Sequence, residues 1–501
     1  MSENLYGLVA ERFARLPGKV CLELEDGTRC TYADLEAETA RYANLLASLG
    51  LKKGDRVAAQ IDKTAQTVFL YLGCLRAGFA YLPLNIAYQE AEIAYFLGDA
   101  QPGLAVCRPE ARAWFGAASV KAGVARVLEL DAAGHGSLAD AAAKQSPSFT
   151  TVATGPDDLA AIIYTSGTTG RSKGAMVTHR NLTSNALALH GCWRFQPDDV
   201  LLHTLPLFHV HGLFVALHTA LLNASTIIFR AKFDARQVLR DLPRATVFMG
   251  VPTYYVRLLA ETGFTRELCA GMRLFVSGSA PLLLDTFREF QQRTGRAIIE
   301  RYGMTETGMN TSNPYEGERR GGTVGRPLPG VEVRVVDDSD RPLAAGGIGH
   351  IQVRGPNVLP GYWRLPEKNK EEFTADGFFR TGDLGKFDAD RYLTIVGRSK
   401  DLVISGGYNV YPKEIELLLD ELPGVEESAV FGVPHPDFGE AVTAVIVPRR
   451  GCSLTEEEVI AFAKGKLANF KVPKRIHFAR ELPRNAMGKV QKNVLRATYT
   501  K

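Results

Sequence analysis

Two stretches of this chain share one rhythm: a short apolar run, a longer helical segment, and a second apolar run. DRVAAQI, FLYLGCLRAG and FAYLPLN form the first, and VLLHTLPLF, GLFVALHTALLN and STIIFR form the second. Strand, helix and strand in that order satisfy their backbones best as parallel strands in a sheet covered by helices. The rhythm therefore predicts layered α/β sheets. At 501 residues the chain exceeds what a single core fills, so at least two domains are expected.

Local signals extend this reading. Thr31 and Asp34 fit a capping box for a helix that stops at Gly50, after a hairpin turning at Asp26-Gly27. Between about Gly322 and Gly397, VEVRVVD, HIQVRG and YLTIVG alternate with Gly/Pro turns, which predicts a compact β-rich subdomain. Pro412 opens a helix with Ile415, Leu418, Leu419 and Leu422 on one face; strands ESAVFGV and AVTAVIVP follow, then a helix from SLTEEEV. The expected fold is α/β. A large N-terminal domain of layered sheets spans residues 1–399 and carries the β-rich subdomain at about 322–397, and a small mobile α+β C-terminal domain spans 400–501. LADAAAKQSP, near residue 140, reads as an Ala-rich surface stretch.

Composition excludes several partners. The net charge is +4 with no long basic block, so no nucleic-acid partner is expected. Seven scattered cysteines without a CxxC pair point to reduced thiols, neither a zinc site nor a disulfide framework. No apolar run approaches the roughly 18 residues of a membrane span. The first residues carry acids and lack the apolar core of a signal peptide. No membrane association and a cytoplasmic location follow as expectations.

YTSGTTGRSKG (164–174) has the glycines, hydroxyls and lysine of a phosphate-binding loop. It is not the Walker pattern, because Arg171 and Ser172 separate Gly170 from Lys173. RYGMTETG (301–308), RTGDLG (380–385), GRSKDLVISGGYNVYP (397–412) and PRNAMGKVQK (483–492) follow it. In these motifs and their order the chain resembles the acyl-adenylate-forming enzymes, which include acyl-CoA synthetases, luciferases and peptide-synthetase adenylation domains.

The resemblance implies use of ATP and Mg²⁺, with coenzyme A as co-substrate. Thr165, Ser166, Gly167, Thr168, Thr169, Gly170 and Lys173 would wrap the phosphates that leave as pyrophosphate. Gly278, Ser279, Glu300, Arg301, Tyr302, Gly303, Met304 and Thr305 would form the adenine side, with Tyr302 stacking on the base. Asp383 and Arg398 would hold the ribose, and Thr165 and Glu306 the metal. Lys489 would catalyse adenylation by placing an ammonium between the carboxylate and the α-phosphate. Ser405, Gly406, Gly407 and Tyr408 would meet the pantetheine arm of CoA after the small domain rotates about Lys400, where other members often have Asp.

The acid is read from the acyl pocket. Arg257 in GVPTYYVRLL and Arg301 occupy segments that line that pocket in relatives, with Ser279 and His209 beside them. Two guanidinium groups suit the second carboxylate of a short dicarboxylate, malonate or methylmalonate. Arg257 fits an exposed helix position equally well, and Arg301 could instead pair with Glu300 or Glu306. A medium-chain or aryl acyl-CoA synthetase would share every ATP motif. A non-catalytic acyl-adenylate-binding protein should lack Lys489 or Glu306, and both are present. Lys489 is also the expected target of a lysine acetyltransferase, since its charge is needed and its loop is exposed.

Overall fold

The computed structural model describes residues 4–165, 172–405, 408–435, 439–485 and 488–500. The first strand–helix–strand rhythm forms the centre of a six-stranded sheet. Its strands run in the order Val127–Glu129, Leu104–Cys107, Arg56–Gln60, Ala80–Pro83, Leu159–Thr165 and Lys173–Thr178. Arg56–Gln60 pairs in parallel with Ala80–Pro83 across helix Ala65–Ala77. That helix is apolar on all sides because nearly every residue in it is buried.

The second rhythm enters a nine-stranded sheet, where Val200–His203 and Thr226–Phe229 pair in parallel. Val247–Gly250, Leu274–Ser277 and Ile299–Met304 continue the sheet on one side. The N-terminal hairpin, Val20–Glu23 with Arg29–Thr31, joins the other side by pairing with Thr226–Phe229. The helix after it, Tyr32–Ser48, carries the capping box read from sequence: Asp34 N–H donates to Thr31 Oγ1 at 3.1 Å and Thr31 N–H to Asp34 Oδ2 at 2.7 Å.

A four-stranded antiparallel sheet, Glu332–Val336, Gly349–Arg354, Phe379–Phe387 and Leu393–Arg398, is the β-rich subdomain. The small domain is a five-stranded sheet centred on the long hairpin Val425–His435 and Gly439–Pro448. Helices Pro412–Leu419 and Glu456–Lys464 bury Ile415, Leu419, Val459 and Ala463 in its core. Among the described residues no helix is long and apolar enough to cross a membrane.

Two segments differ from the sequence expectation. LADAAAKQSP contains a helix, Ser137–Ala143, which buries Leu138 and Ala142 and whose last carbonyl accepts from Arg41 Nη1 at 3.2 Å. Leu138 and Ala142 lie four apart and so share a face, a signal that the surrounding alanines hide. The helix of GLFVALHTALLN begins at His211 and runs as a π-helix to Ala216 before turning α-helical at Leu217–Leu222. Gly212 permits this winding, because a Cβ there would lie 2.1 Å from the Pro206 carbonyl oxygen.

Candidate active site

Leu274–Ser277 and Ile299–Met304 run in parallel with Ser277 opposite Glu300, so Gly278–Ser279 and Arg301–Met304 emerge side by side. This is the carboxyl edge of a parallel sheet, where α/β folds bind ligands. Gly278 makes room for a guanidinium: a Cβ there would meet Arg301 Cζ at 2.4 Å. Arg301 is 4% exposed, and neither its Nε nor its Nη2 has a hydrogen-bond partner among the described residues. The alternative pairing with Glu300 or Glu306 does not form. Burial draws the Arg301 pKa down to about 9, which still leaves a cation at neutral pH. A desolvated, unpaired guanidinium is unfavourable until an anion reaches it.

Two imidazoles face the same space. His211 Nδ1 lies 3.4 Å from Ser279 Oγ, while His211 Nε2 is buried with no partner among the described residues. Burial, then the nearby Lys489 and Arg301 charges, push His209 down to about 3. Burial and Arg301 hold His211 well below the usual imidazole range. Both rings are therefore neutral near pH 7.

Around the neighbouring strand end, Asp383 accepts from Tyr302 Oη at 2.5 Å on one oxygen and from Arg398 Nε at 2.7 Å on the other. Thr165 Oγ1 donates to Glu306 Oε1 at 3.3 Å, and Tyr362 Oη donates to the same oxygen at 3.0 Å. Among the described residues no cluster of three His, Cys, Asp or Glu side chains forms a metal cage. One carboxylate and one hydroxyl suit Mg²⁺, which draws most of its shell from phosphates and water. Gly303, Met304 and Thr305 connect Tyr302 to Glu306 along the strand end. Ser166, Gly167, Thr168, Thr169 and Gly170, with Gly406 and Gly407, lie outside the described residues.

Lys489 reaches this site from the small domain. Its hairpin is closed by a bridge between Arg484 and Val490, with Asn485 N–H donating to Lys489 O at 2.9 Å. Gly488 abuts the large domain, where its Cβ position is 3.5 Å from Thr253. Lys492, three residues on, anchors the hairpin through a 2.5 Å ion pair to buried Glu416. Lys489 is exposed as a whole residue, while protein surrounds its ammonium. Burial and then Arg398 push it below the ordinary lysine range, while Asp383 and Glu306 pull it up. Lys400 is exposed on the turn Ser399–Asp401 and forms no ion pair among the described residues. Ser405 is buried, whereas Tyr408 is 58% exposed and stacks on Phe470.

Arg257 and Glu300 stand apart from this cluster. Arg257 is exposed on helix Pro252–Leu259 and borders a groove of about 580 Å³ with Lys63, Thr253, Arg484 and Gly488. Glu300 turns into the protein and accepts the Gly322 N–H at 3.1 Å. Burial pushes its carboxyl up to about 8 from an ordinary 4.5. A raised folded-state pKa contributes stability that is fully present below the unfolded pKa and lost as pH rises through the folded one. Glu300→Gln should therefore melt several degrees above wild type at pH 8.5, with little difference at pH 4.5. A gap that does not grow with pH in thermal melts would contradict this burial.

Tyr362, His211 and Glu372, whose Oε1 lies 3.3 Å from Lys173 Nζ, join the site without a sequence signal of their own. Tyr362 follows a turn glycine in PGYWRLPE, and His211 sits two residues after His209 in HVHG, a spacing with no fixed face outside a strand.

Comparison with known proteins agrees with this geometry. Residues 9–363 match the AMP-binding enzyme family and residues 414–489 the AMP-binding enzyme C-terminal domain. A malonate–CoA ligase of Arabidopsis thaliana is 37% identical, covering 92% of this chain and 82% of that protein. A feruloyl-CoA synthase of an Amycolatopsis species is 36% identical over 97% of this chain and 98% of its own. ATP-bound MatB from Rhodopseudomonas palustris superposes with a TM-score of 0.97 at 55% identity, covering 100% of this chain and 99% of that one. The layered sheets, the carboxyl-edge site and the lysine delivered by a second domain are those of a nucleotide-using α/β enzyme. The chain belongs to the AMP-binding enzyme family.

Proposed function

We propose that the chain is an AMP-forming acyl-CoA ligase for a short dicarboxylic acid, malonate first and methylmalonate second. The observation that carries this is Arg301, a buried guanidinium with two unpaired nitrogens beside His211 and Ser279. Malonate–CoA ligases among the relatives and MatB at 55% identity support malonate, although a feruloyl-CoA synthase at 36% means that identity alone does not exclude an aryl acid. The pocket does: a second carboxylate would satisfy Arg301, and an aryl group would leave it buried and unpaired.

In the first half-reaction a carboxylate oxygen attacks the α-phosphorus of ATP, the bond to pyrophosphate breaks, and an acyl-AMP anhydride forms. Lys489 would lie between the two anions and stabilise the charge they develop. Tyr302 would stack on adenine, and the remaining lone pairs of Asp383 would accept the ribose hydroxyls. Thr165 and Glu306 would hold Mg²⁺, which supplies neutralisation of the phosphate charge when bound. In the second half-reaction the thiol of CoA attacks the anhydride carbonyl and AMP leaves. The groove of about 580 Å³ beside Gly488 and the exposed Tyr408 face are consistent with a pantetheine path completed by domain rotation.

The domain boundary falls at 399/400 in this reading, with Lys400 as the pivot and a cytoplasmic location. Lys400→Pro fixes φ at the pivot without touching the ATP site. Malonyl-AMP should form and accumulate while transfer to CoA slows; unchanged overall turnover would remove the pivot. Acetylation of Lys489 by a lysine acetyltransferase should mimic its loss. Protein found fully acetylated there by mass spectrometry, yet active in adenylation, would end that part of the reading. The assay for the whole is pyrophosphate release with malonate, methylmalonate, acetate, octanoate and 4-coumarate, with and without CoA. Preference for octanoate or 4-coumarate would overturn the dicarboxylate assignment.

A further inference from the structure

We infer that Glu372 is a positioning residue for the triphosphate site: its carboxylate holds Lys173, yields it to the phosphates of ATP, and reclaims it as pyrophosphate departs. This rests on the reading of the chain as an ATP-using ligase, in which Lys173 would be a phosphate ligand, as the sequence resemblance implies.

Lys173 opens strand Lys173–Thr178, and its side chain is only 10% exposed. Its Nζ lies 3.3 Å from Glu372 Oε1 and 4.3 Å from the centre of the Tyr362 ring. Glu372 ends helix Pro366–Glu372 with its side chain 18% exposed. The same Oε1 lies 3.2 Å from Lys368 Nζ, and Lys368 also bonds Glu371 at 2.9 Å. Tyr362 in turn donates to Glu306, the carboxylate that meets Thr165. An unbroken set of polar contacts thus joins helix Pro366–Glu372 to the pair that would hold the metal.

The cation assigned to phosphate already has a partner, and that partner is shared. A carboxylate divided between Lys173 and Lys368 holds each more weakly than a dedicated pair would, so a multiply charged phosphate can displace it. The same carboxylate competes with pyrophosphate for Lys173 and shortens its stay. This suits a leaving group that must depart before the thiol step. Glu372 acts through Lys173, so its effect should depend on that lysine being present.

The test is calorimetric binding of Mg²⁺-ATP and Mg²⁺-pyrophosphate, with no acid present. Glu372→Gln keeps the shape and removes the competing charge; both Kd values should fall about five- to tenfold because Lys173 no longer has to leave a carboxylate before it meets phosphate. Glu371→Gln removes the same net charge from a neighbour that does not touch Lys173, and should change either Kd by less than about twofold. In a Lys173→Met background, Glu372→Gln should have no effect, as a double-mutant cycle requires of two coupled residues. Unchanged or raised Kd values in a Glu372→Gln protein that melts normally would overturn the inference, as would an equal effect in the Lys173→Met background. Wild-type protein that binds neither ligand would instead overturn the reading of the site itself. A wrong acid assignment touches none of these measurements.

Discussion

Lys489→Ala should abolish ATP-dependent pyrophosphate release, with a loss of at least about 10²–10³-fold, the range for removing one preorganised electrostatic donor. The thioester step from supplied malonyl-AMP should keep most of its rate. The reason is geometric. Lys489 enters the large-domain site on a hairpin that the small domain anchors through Lys492 and Glu416. In this pose its charge is felt by Arg398, Asp383, Glu306 and Arg301, the groups gathered at the phosphate and acyl ends. It can therefore act only while the hairpin is docked against Thr253, where Gly488 lets the backbone approach. Rotation for the second half-reaction would carry it away. Equal loss of both half-reactions would mean that the substitution disturbs the small domain rather than the first transition state.

Arg301→Met should reduce malonate activation by roughly 30- to several-thousand-fold in kcat/KM, the range for losing a charge-assisted contact in a desolvated site. Butyrate activation should stay level or rise from a low base. Methionine fills much of the same volume, so the change removes charge more than packing. The position adjoins Tyr302, so KM for ATP must be followed in the same assays. Arg257→Met should have a far smaller effect, because Arg257 is exposed on the rim of the groove, whereas Arg301 is buried. An unchanged malonate-to-butyrate ratio in Arg301→Met would leave an acyl-CoA ligase of undefined acid.

Much of this architecture was legible from residues alone, for identifiable reasons. The two strand–helix–strand rhythms, the Thr31–Asp34 box and the helix opened by Pro412 are local signals, and each appears where local chemistry puts it. The pairing of Val20–Glu23 with Thr226–Phe229 spans some two hundred residues, and no local pattern encodes it. The site divides in the same way. The motif residues Thr165, Glu306, Asp383 and Arg398 announce themselves in sequence and meet in space. Tyr362, Glu372 and His211 matter through contacts made only after the sheets assemble, and the π-helical turn that presents His211 depends on Gly212 packing against Pro206. Arg257 reaches the groove as its segment suggests, but on the exposed rim, so its side chain is not desolvated as that of Arg301 is.

The central claim is that Arg301 selects an acid with a second negative charge. The most direct measurement compares kcat/KM of the unaltered enzyme for malonate and for monomethyl malonate, which keeps the chain length and masks the distal charge as an ester. The account predicts that malonate is preferred by about 10²-fold or more, the value of one desolvated charge-assisted contact. Equal use of the two acids, or preference for the ester, would contradict it.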